Sequence, residues 1–330
     1  MALAATLVLG MTSVGNAQEA TKLKFATLSP ADGPLNVRLL HPWAEKVNAA
    51  GKGVVEIDVR DGLSVASYGN VYDRVLDDVI QVAFTVTGSI AGKFVLSNVV
   101  ALPMLFERSD EASVAFWRLY TSGAMDSEYT DIVPLYIVTL ANSGFHLNRP
   151  APAADNLGGL KIVASSKATS SIVTALGGTP ISFQQSDIYT ALQHKAVDGT
   201  YGAWTVFAPF KLGEVTSYHL EERLGGAPAM VFMAKKAFNA LPAPVRKVLM
   251  DNSGEAQSRA FGKYWMDLDN ETREQFKNTP GHTIVNLTPE QTHALQTKLQ
   301  PVTDQWVKDT PNGDKVLAQY KQLLVEAKGH

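Results

Sequence analysis

Two stretches of the chain repeat the same alternation of strand and helix patterns, and this repetition constrains the fold most. Residues 23–86 read β-α-β-α-β, and residues 160–204 read the same way. The predicted strands are 23–27, 55–59, 82–86, 160–164, 179–183 and 200–204, and the predicted helices between them are 37–47, 71–79, 167–176 and 187–194. Crossover connections of this kind make strands parallel and place helices on the faces of the sheet. The sequence therefore predicts an α/β fold with two lobes, each a mostly parallel sheet flanked by helices.

The chain is expected to pass between these lobes more than once. Residues 132–147 are β-rich and contain no Gly/Ser linker, and a strand at 229–234 is expected to cross back. From Lys235 onward the pattern is helical, and a long helix is expected to join the lobes as well. A length of 330 residues suits two cores better than one. We predict a first lobe of 22–143 and about 230–266, a second lobe of 144–229 and about 267–330, and a ligand cleft between them.

Composition excludes several classes of protein. Hydrophobic residues make up 45% of the chain and charged residues 18%, which favours packed cores over disorder. The formal net charge is -3, with no long basic run, so nucleic acid is not expected as a partner. Cysteine is absent, which excludes disulfides, thiol nucleophiles, cysteine-ligated zinc and iron–sulfur clusters.

The first residues resemble an export signal. Residues 2–10 form a short apolar stretch, and the small residues that follow allow cleavage after Ala17. The positively charged region that normally opens a signal peptide is missing, so we interpret 1–17 as a truncated signal peptide; the alternative is a frayed helix. No other segment approaches the roughly 18 apolar residues of a membrane helix. We expect an exported, soluble protein of the periplasm.

Searches for catalytic motifs favour binding over catalysis. The seven histidines form no H-x-x-x-H or H-E-x-x-H pair, and the chain has no G-x-S-x-G, phosphate-loop or dinucleotide-binding motif. The adjacent acids Asp77-Asp78 and Glu221-Glu222 are expected to be solvated, and Gly225-Gly226 is expected to form a turn. We therefore predict no catalytic residue, no metal and no cofactor.

One region is specific enough to indicate a family. Ile188 to Lys211 read I-Y-T-A-L-Q-H-K-A-V-D-G-T-Y-G-A-W-T-V-F-A-P-F-K, shortly after Leu160-Lys161-Ile162. This pattern resembles the solute-binding subunit of tripartite ATP-independent periplasmic (TRAP) transporters. Further stretches agree in order along the chain: Lys22 to Phe25, Thr87-Gly88, Gly92-Lys93-Phe94 and Leu102 to Phe106. The resemblance implies a two-lobed, monomeric periplasmic binding protein without a reaction of its own. Such a protein closes on a small organic acid and delivers it to membrane subunits driven by an ion gradient.

One position departs from the family. The resemblance places an arginine, which clamps the ligand carboxylate with two hydrogen bonds, where this chain has Val163. Lys167, with Ser165, Ser166 and Thr169 at the start of a predicted helix, could hold the anion instead, because helix N-termini favour negative charge. The competing interpretation is a solvated lysine beside a serine N-cap. His146, near the place of another basic residue in some relatives, is a further candidate.

The remaining candidates are expected to line the cleft. Ligands of open α/β sheets bind at the carboxyl ends of strands, and Tyr201 to Trp204 would lie there. For Trp204 the alternative is an ordinary core aromatic. A lysine in place of an arginine fork suits a keto-, hydroxy- or aromatic monocarboxylate better than a dicarboxylate, unless the ligand is neutral. The predicted cleft residues are Phe84, Tyr201, Trp204, Gln185, Thr87 and Tyr68.

Two other functions stay open at this point. The first is the binding protein of an ATP-driven importer, which has the same two-lobed fold and a different membrane partner. The second is a periplasmic enzyme that uses Asp187, Asp198 and His194 as acid–base groups. Closure of the lobes is expected to bend the chain at 142–147 and 225–230, where glycines ease the backbone change.

Overall fold

The computed structural model describes residues 19–90, 92–164 and 166–328. The predicted signal peptide and Ser165 therefore lie outside the described residues. The strands are β1 (Thr21–Ala26), β2 (Val55–Arg60), β3 (Val82–Val86), β4 (Ile132–Thr139), β5 (Gly144–Leu147), β6 (Lys161–Val163), β7 (Thr179–Ile181), β8 (Gly199–Gly202), β9 (Tyr218–Leu220), β10 (Pro228–Ala234) and β11 (Thr283–Val285). The helices are α1 (His41–Ala50), α2 (Val71–Leu76), α3 (Ser109–Thr121), α4 (Lys167–Ala175), α5 (Ile188–Gln193), α6 (Phe207–Phe210), α7 (Lys235–Ala240), α8 (Ala243–Asp251), α9 (Gly254–Lys277), α10 (Pro289–Asp309) and α11 (Gly313–Ala327).

The strands form two sheets, as the repeated pattern predicts. The first has the order β2-β1-β3-β10-β4, with β1, β2 and β3 parallel and β10 antiparallel to both its neighbours. The second has the order β11-β9-β5-β8-β6-β7, with β6, β7 and β8 parallel and β5 antiparallel to β8 and β9. Helices cover both sheets, and the predicted α/β fold class is confirmed.

Each sheet buries apolar side chains on both faces. On one face of the first sheet Trp43 of α1 lies edge-on to Phe25, with ring centroids 5.2 Å apart. On the other face, Tyr72 of α2 stacks on Phe232 of β10. Pro42 lies in the first turn of α1, directly after a π-helical turn at Asn36–Leu40, and the helical path continues through it.

The chain passes between the sheets after β4, again before β10, and along α9. The first two passages run side by side, since Leu140 N–H donates to Ala227 O at 3.0 Å and Ser143 N–H donates to Gly225 O at 3.0 Å. Gly225 has a φ of +90°, and a Cβ there would overlap the carbonyl of Ala101. Gly225 therefore serves a close backbone approach, and the turn expected at Gly225-Gly226 is replaced by a segment without turn structure.

The C-terminal helices divide between the two sheets. α10 begins with the predicted cap, in which Thr288 and Gln291 bond to each other's backbone, and it packs against α4. α11 instead packs against α3, with Tyr320 buried in the core of the first sheet. This helix therefore lies with the first sheet, whereas the predicted boundaries placed it with the second. Within the described residues, no helix combines the length and apolar character needed to cross a membrane.

Candidate ligand-binding cleft

The parallel strands of both sheets end near one short part of α9. Asp269 and Glu271, two residues apart on this helix, contact the segments that follow β8 and β1, respectively. Thr205 N–H donates to Asp269 Oδ1 at 3.1 Å, and Arg38 Nη1 lies 3.0 Å from Glu271 Oε2. Because two helical residues are separated by only about 3 Å along the axis, the carboxyl ends of the two sheets lie close together. This is the place where open α/β sheets bind ligands.

A polar cluster holds the backbone on the first side of this cleft. Asn36 is fully buried at the start of a π-helical turn, and its Nδ2 donates to Thr27 Oγ1 at 3.0 Å and Asp61 Oδ1 at 2.7 Å. His41 Nε2 lies 2.9 Å from the same oxygen of Asp61. These hydrogen bonds to the carboxylate of Asp61 therefore fix the loops after β1 and β2.

Apolar side chains are exposed next to this cluster. Val37 is 53% exposed, Leu63 61% and Tyr68 41%, and all three lie in the segments that follow β1 and β2. All three lie on segments at the carboxyl ends of β1 and β2, the edge at which open α/β sheets bind ligands. Tyr68 is among the predicted site residues.

The predicted anion site at the start of α4 has another geometry in this structure. Ser166 caps the helix, and it and Thr169 bond to each other's backbone. Lys167 is 83% exposed, and its Nζ donates to Asp309 Oδ2 at 2.8 Å. This bond holds the pKa of Asp309 below its usual value. The arrangement matches the competing interpretation, an exposed lysine beside a serine N-cap, while Val163 is buried.

Three other predicted residues lie in or against the sheet cores. Phe84 is buried and stacks on Phe261, with ring centroids 5.7 Å apart. Tyr201 packs against the core of the second sheet, and its hydroxyl donates to Leu224 O at 2.7 Å. Thr87 is buried at the end of β3. Its hydroxyl donates to Pro228 O. The fourth predicted residue, Gln185, is exposed before α5. The structure thus buries the side chains of Phe84 and Thr87, packs Tyr201 against a core and leaves Gln185 exposed.

His146 and Trp204 are brought together. Their ring centroids are 4.7 Å apart, and both line a cavity of about 410 Å³ beside the passages between the sheets. Trp204 is only 4% exposed and also stacks on Phe276. Its Nε1–H donates to Glu221 Oε1 at 2.9 Å. Trp204 is therefore a core aromatic residue next to the passages between the sheets, which was the alternative interpretation of this residue.

The same cavity contains acidic residues that the sequence did not indicate. Glu221 accepts two hydrogen bonds from Arg273 Nε, at 2.6 and 2.7 Å, so the expectation that Glu221-Glu222 is solvated is wrong. Among the described residues none bonds to the buried Glu222 Oε1, and burial raises the pKa of Glu222 to about 8. Burial likewise raises the pKa of Asp269 to about 7. These groups lie close together because β9, β10 and α9 meet here. The local sequence does not reveal this contact between distant parts of the chain.

Three histidines form a chain from this cavity toward solvent. His146 Nε2 lies 3.1 Å from Gly202 O, His146 Nδ1 lies 3.1 Å from His219 Nδ1, and His219 Nε2 lies 3.0 Å from His282 Nδ1. Since a carbonyl only accepts, His146 donates from Nε2, His219 donates from Nδ1 and His282 donates from Nδ1. Burial lowers the pKa of His146 to about 3 and that of His219 to about 2. The described residues contain no group of His, Asp and Glu side chains that could hold a metal ion.

We expect these buried groups to shape the pH dependence of stability. The folded-state pKa of Glu222 and Asp269 lies above the unfolded value, so the stability they contribute is lost as pH rises toward about 8. The pKa of His146 and His219 lies below the unfolded value of 6.5, so their contribution is lost as pH falls below it. Calorimetry should therefore show a melting temperature that falls between pH 6.5 and 8. Glu222→Gln should weaken this fall, and a parent melting temperature that rises over this interval would contradict the assignment.

Comparison with known proteins identifies the family. The model of the family described as bacterial extracellular solute-binding protein, family 7 (DctP), matches residues 25–309. The chain belongs to this family. The resemblance to TRAP solute-binding proteins inferred from the residues is thereby confirmed.

Three proteins illustrate how family 7 relates to this chain. The outer membrane transporter protein TsaT of Comamonas testosteroni is 26% identical over 328 residues, covering 96% of this chain and 95% of the relative. The C4-dicarboxylate-binding periplasmic protein DctP of Rhodobacter capsulatus is 30% identical over 190 residues, 56% of each chain. A marine metagenome TRAP solute-binding protein specific for aromatic acids, solved with 3-hydroxybenzoate, superposes with a TM-score of 0.86 at 23% identity, covering 94% of this chain and 99% of that one. At this identity the likeness shows the fold.

Proposed function

We propose that this family 7 protein is the periplasmic solute-binding subunit of a TRAP transporter. It captures a small organic acid between its two sheets and delivers the acid to integral-membrane subunits. The observation that carries the proposal is the meeting of the carboxyl ends of both sheets at Asp269 and Glu271 of α9. The family match supports the TRAP partner over an ATP-driven importer.

The geometry also supports binding without catalysis. In the enzyme alternative Asp198 acts as an acid–base group, but its carboxylate accepts a hydrogen bond from Arg149 Nε at 2.9 Å and another from Lys161 N–H at 2.8 Å. Burial opposes ionisation of this carboxyl, but the hydrogen bonds from Arg149 and Lys161 together with the charges of both residues lower its pKa. His194, at the end of α5, is exposed. A carboxylate that accepts these two hydrogen bonds fixes the starts of β6 and β8 and is poorly placed to transfer protons.

We further propose an aromatic or other largely apolar monocarboxylate as the ligand. The exposed side chains of Val37, Leu63 and Tyr68 offer apolar contact on the first side of the cleft. A dicarboxylate would need a second cationic group, and Val163 removes the arginine that the family uses for the first. The structural neighbour solved with 3-hydroxybenzoate is consistent with this ligand class.

Lys167 remains our proposed partner for the carboxylate, and its substitution gives a direct test. Lys167→Met should weaken binding of 3-hydroxybenzoate by roughly thirtyfold or more, because closure of the lobes on the ligand would bury the ammonium with the carboxylate, and truncating one member of such a pair costs about 2–5 kcal/mol. Folding should change little, since the exposed bond to Asp309 contributes only about 0–1 kcal/mol.

Asp309→Asn is the matched control for this substitution. It removes the competing carboxylate and frees the ammonium of Lys167, so affinity measured by calorimetry should stay equal or increase. If Lys167→Met binds the acid as tightly as the parent protein, the anion is held elsewhere and the assignment of Lys167 fails.

A thermal-shift screen of small organic acids tests the proposed function. A ligand present at 100 times its dissociation constant should stabilise the protein by about 2.7 kcal/mol. We expect aromatic monocarboxylates to raise the melting temperature more than succinate does. Closure at 142–147 and 225–230 should also reduce the radius of gyration in small-angle scattering. A panel of acids that produces no shift at millimolar concentration would reject the proposal.

A further inference from the structure

Three passages of the chain between the sheets form hydrogen bonds to the short segment from Gly202 to Thr205. His146, just after the first passage, donates from Nε2 to Gly202 O at 3.1 Å. Glu221, at the start of the second, accepts from Trp204 Nε1 at 2.9 Å. Asp269 on α9 accepts the backbone N–H of Thr205 at 3.1 Å, and that of Trp204 as well. The segment follows β8 directly, so it lies at the carboxyl edge of the second sheet.

Asp269 is the member of this set that bonds only to the segment's backbone. Trp204 and Thr205 open a 3₁₀ turn, so their N–H groups have no partner within the turn. The carboxyl of Asp269 satisfies both from the neighbouring helix. Glu221 and Arg273, which bond to each other, are the charged groups that face it. Without Asp269, these two N–H groups would lose their acceptor and the turn would lose its attachment to α9.

We infer that Asp269 is a positioning residue of the ligand cleft, which fixes the Gly202–Thr205 segment to α9 and thereby pre-forms the side of the cleft on the second sheet. This inference rests on the proposed function, because it concerns the affinity of the same site. A segment already fixed in its bound position costs less ordering entropy when the ligand arrives. Asp269 therefore contributes to affinity without touching the ligand.

Two substitutions on α9 and one conservative variant test this role. Asp269→Ala should weaken binding of 3-hydroxybenzoate by about tenfold or more and accelerate hydrogen exchange at the amides of Trp204 and Thr205. Asp269→Asn keeps a carbonyl that can accept one of the two N–H groups, so both effects should be smaller. Asp267→Ala is the control, because Asp267 lies two residues away and, in the part of the chain that the structure describes, its carboxylate bonds to Lys263 alone, at 2.6 Å. It should behave as the parent protein does.

The readouts separate this inference from a general loss of stability. Faster exchange in β1 as well as in the segment would mean that Asp269 supports the fold as a whole, and would overturn the inference. Parental affinity in Asp269→Ala would overturn it too. If the parent protein does not bind 3-hydroxybenzoate, the proposed ligand class fails separately. The exchange rates at Trp204 and Thr205, which need no ligand, still decide whether Asp269 fixes the segment.

Discussion

Replacing Trp204 by alanine should lower the free energy of unfolding by about 3–5 kcal/mol, the usual cost of removing a large buried aromatic side chain. Trp204 is 4% exposed and contacts Phe207, His219 and Phe276, with ring centroids 4.6, 4.6 and 5.7 Å away. Its removal also takes a donor from Glu221. Urea denaturation followed by circular dichroism measures the loss.

Trp204→Phe is the matched control, because it keeps a ring in the cluster while it removes the hydrogen bond to Glu221 and a small part of the packing. This variant should lose about 1–2 kcal/mol. An alanine variant that unfolds at the parental urea concentration but no longer binds its ligand would instead place Trp204 in the cleft, as the sequence-based prediction had it.

Gly225→Ala is expected to destabilise the protein by about 3 kcal/mol. Its φ of +90° is strained for any residue with a Cβ, and the new methyl group would overlap the carbonyl of Ala101. Because both obstacles are backbone, the neighbours cannot move aside as a flexible side chain could. Thermal unfolding of the purified variant measures the effect.

Gly88→Ala controls for the general effect of replacing a glycine. No atom of the described residues lies within 4 Å of a Cβ at this position, and its φ is not positive. We expect a change within about 0.5 kcal/mol. Equal stability of the two variants would show that the close approach of Gly225 to Ala101 is not maintained in solution.

The order of strands and helices was predictable because it depends on local periodicity. The alternating residues around Val55–Arg60 and the cap at Thr288 each act within a few residues, and both appear in the structure as predicted. The return of β10 to the first sheet was also predictable, since a strand without a partner nearby must pair with a distant one.

The environment of the site was less predictable, because it depends on contacts between distant parts of the chain. In the sequence, Glu221 and Glu222 have the pattern of solvated surface acids. In the fold, α9 places Arg273 beside Glu221. His146 and His219 are 73 residues apart and meet only through the pairing of β5 with β9. Lys167 pairs with Asp309, a residue 142 positions away. Local patterns carry no information about such pairs.

The most direct test of the account is calorimetric titration of the mature protein with 3-hydroxybenzoate and with succinate, followed by mass spectrometry of the recovered acid. We predict saturable binding of one 3-hydroxybenzoate per chain, much weaker binding of succinate, and recovery of the acid unchanged. Chemical conversion of the acid, or no heat of binding from any small organic acid, would contradict the assignment of this chain as the solute-binding subunit of a TRAP transporter.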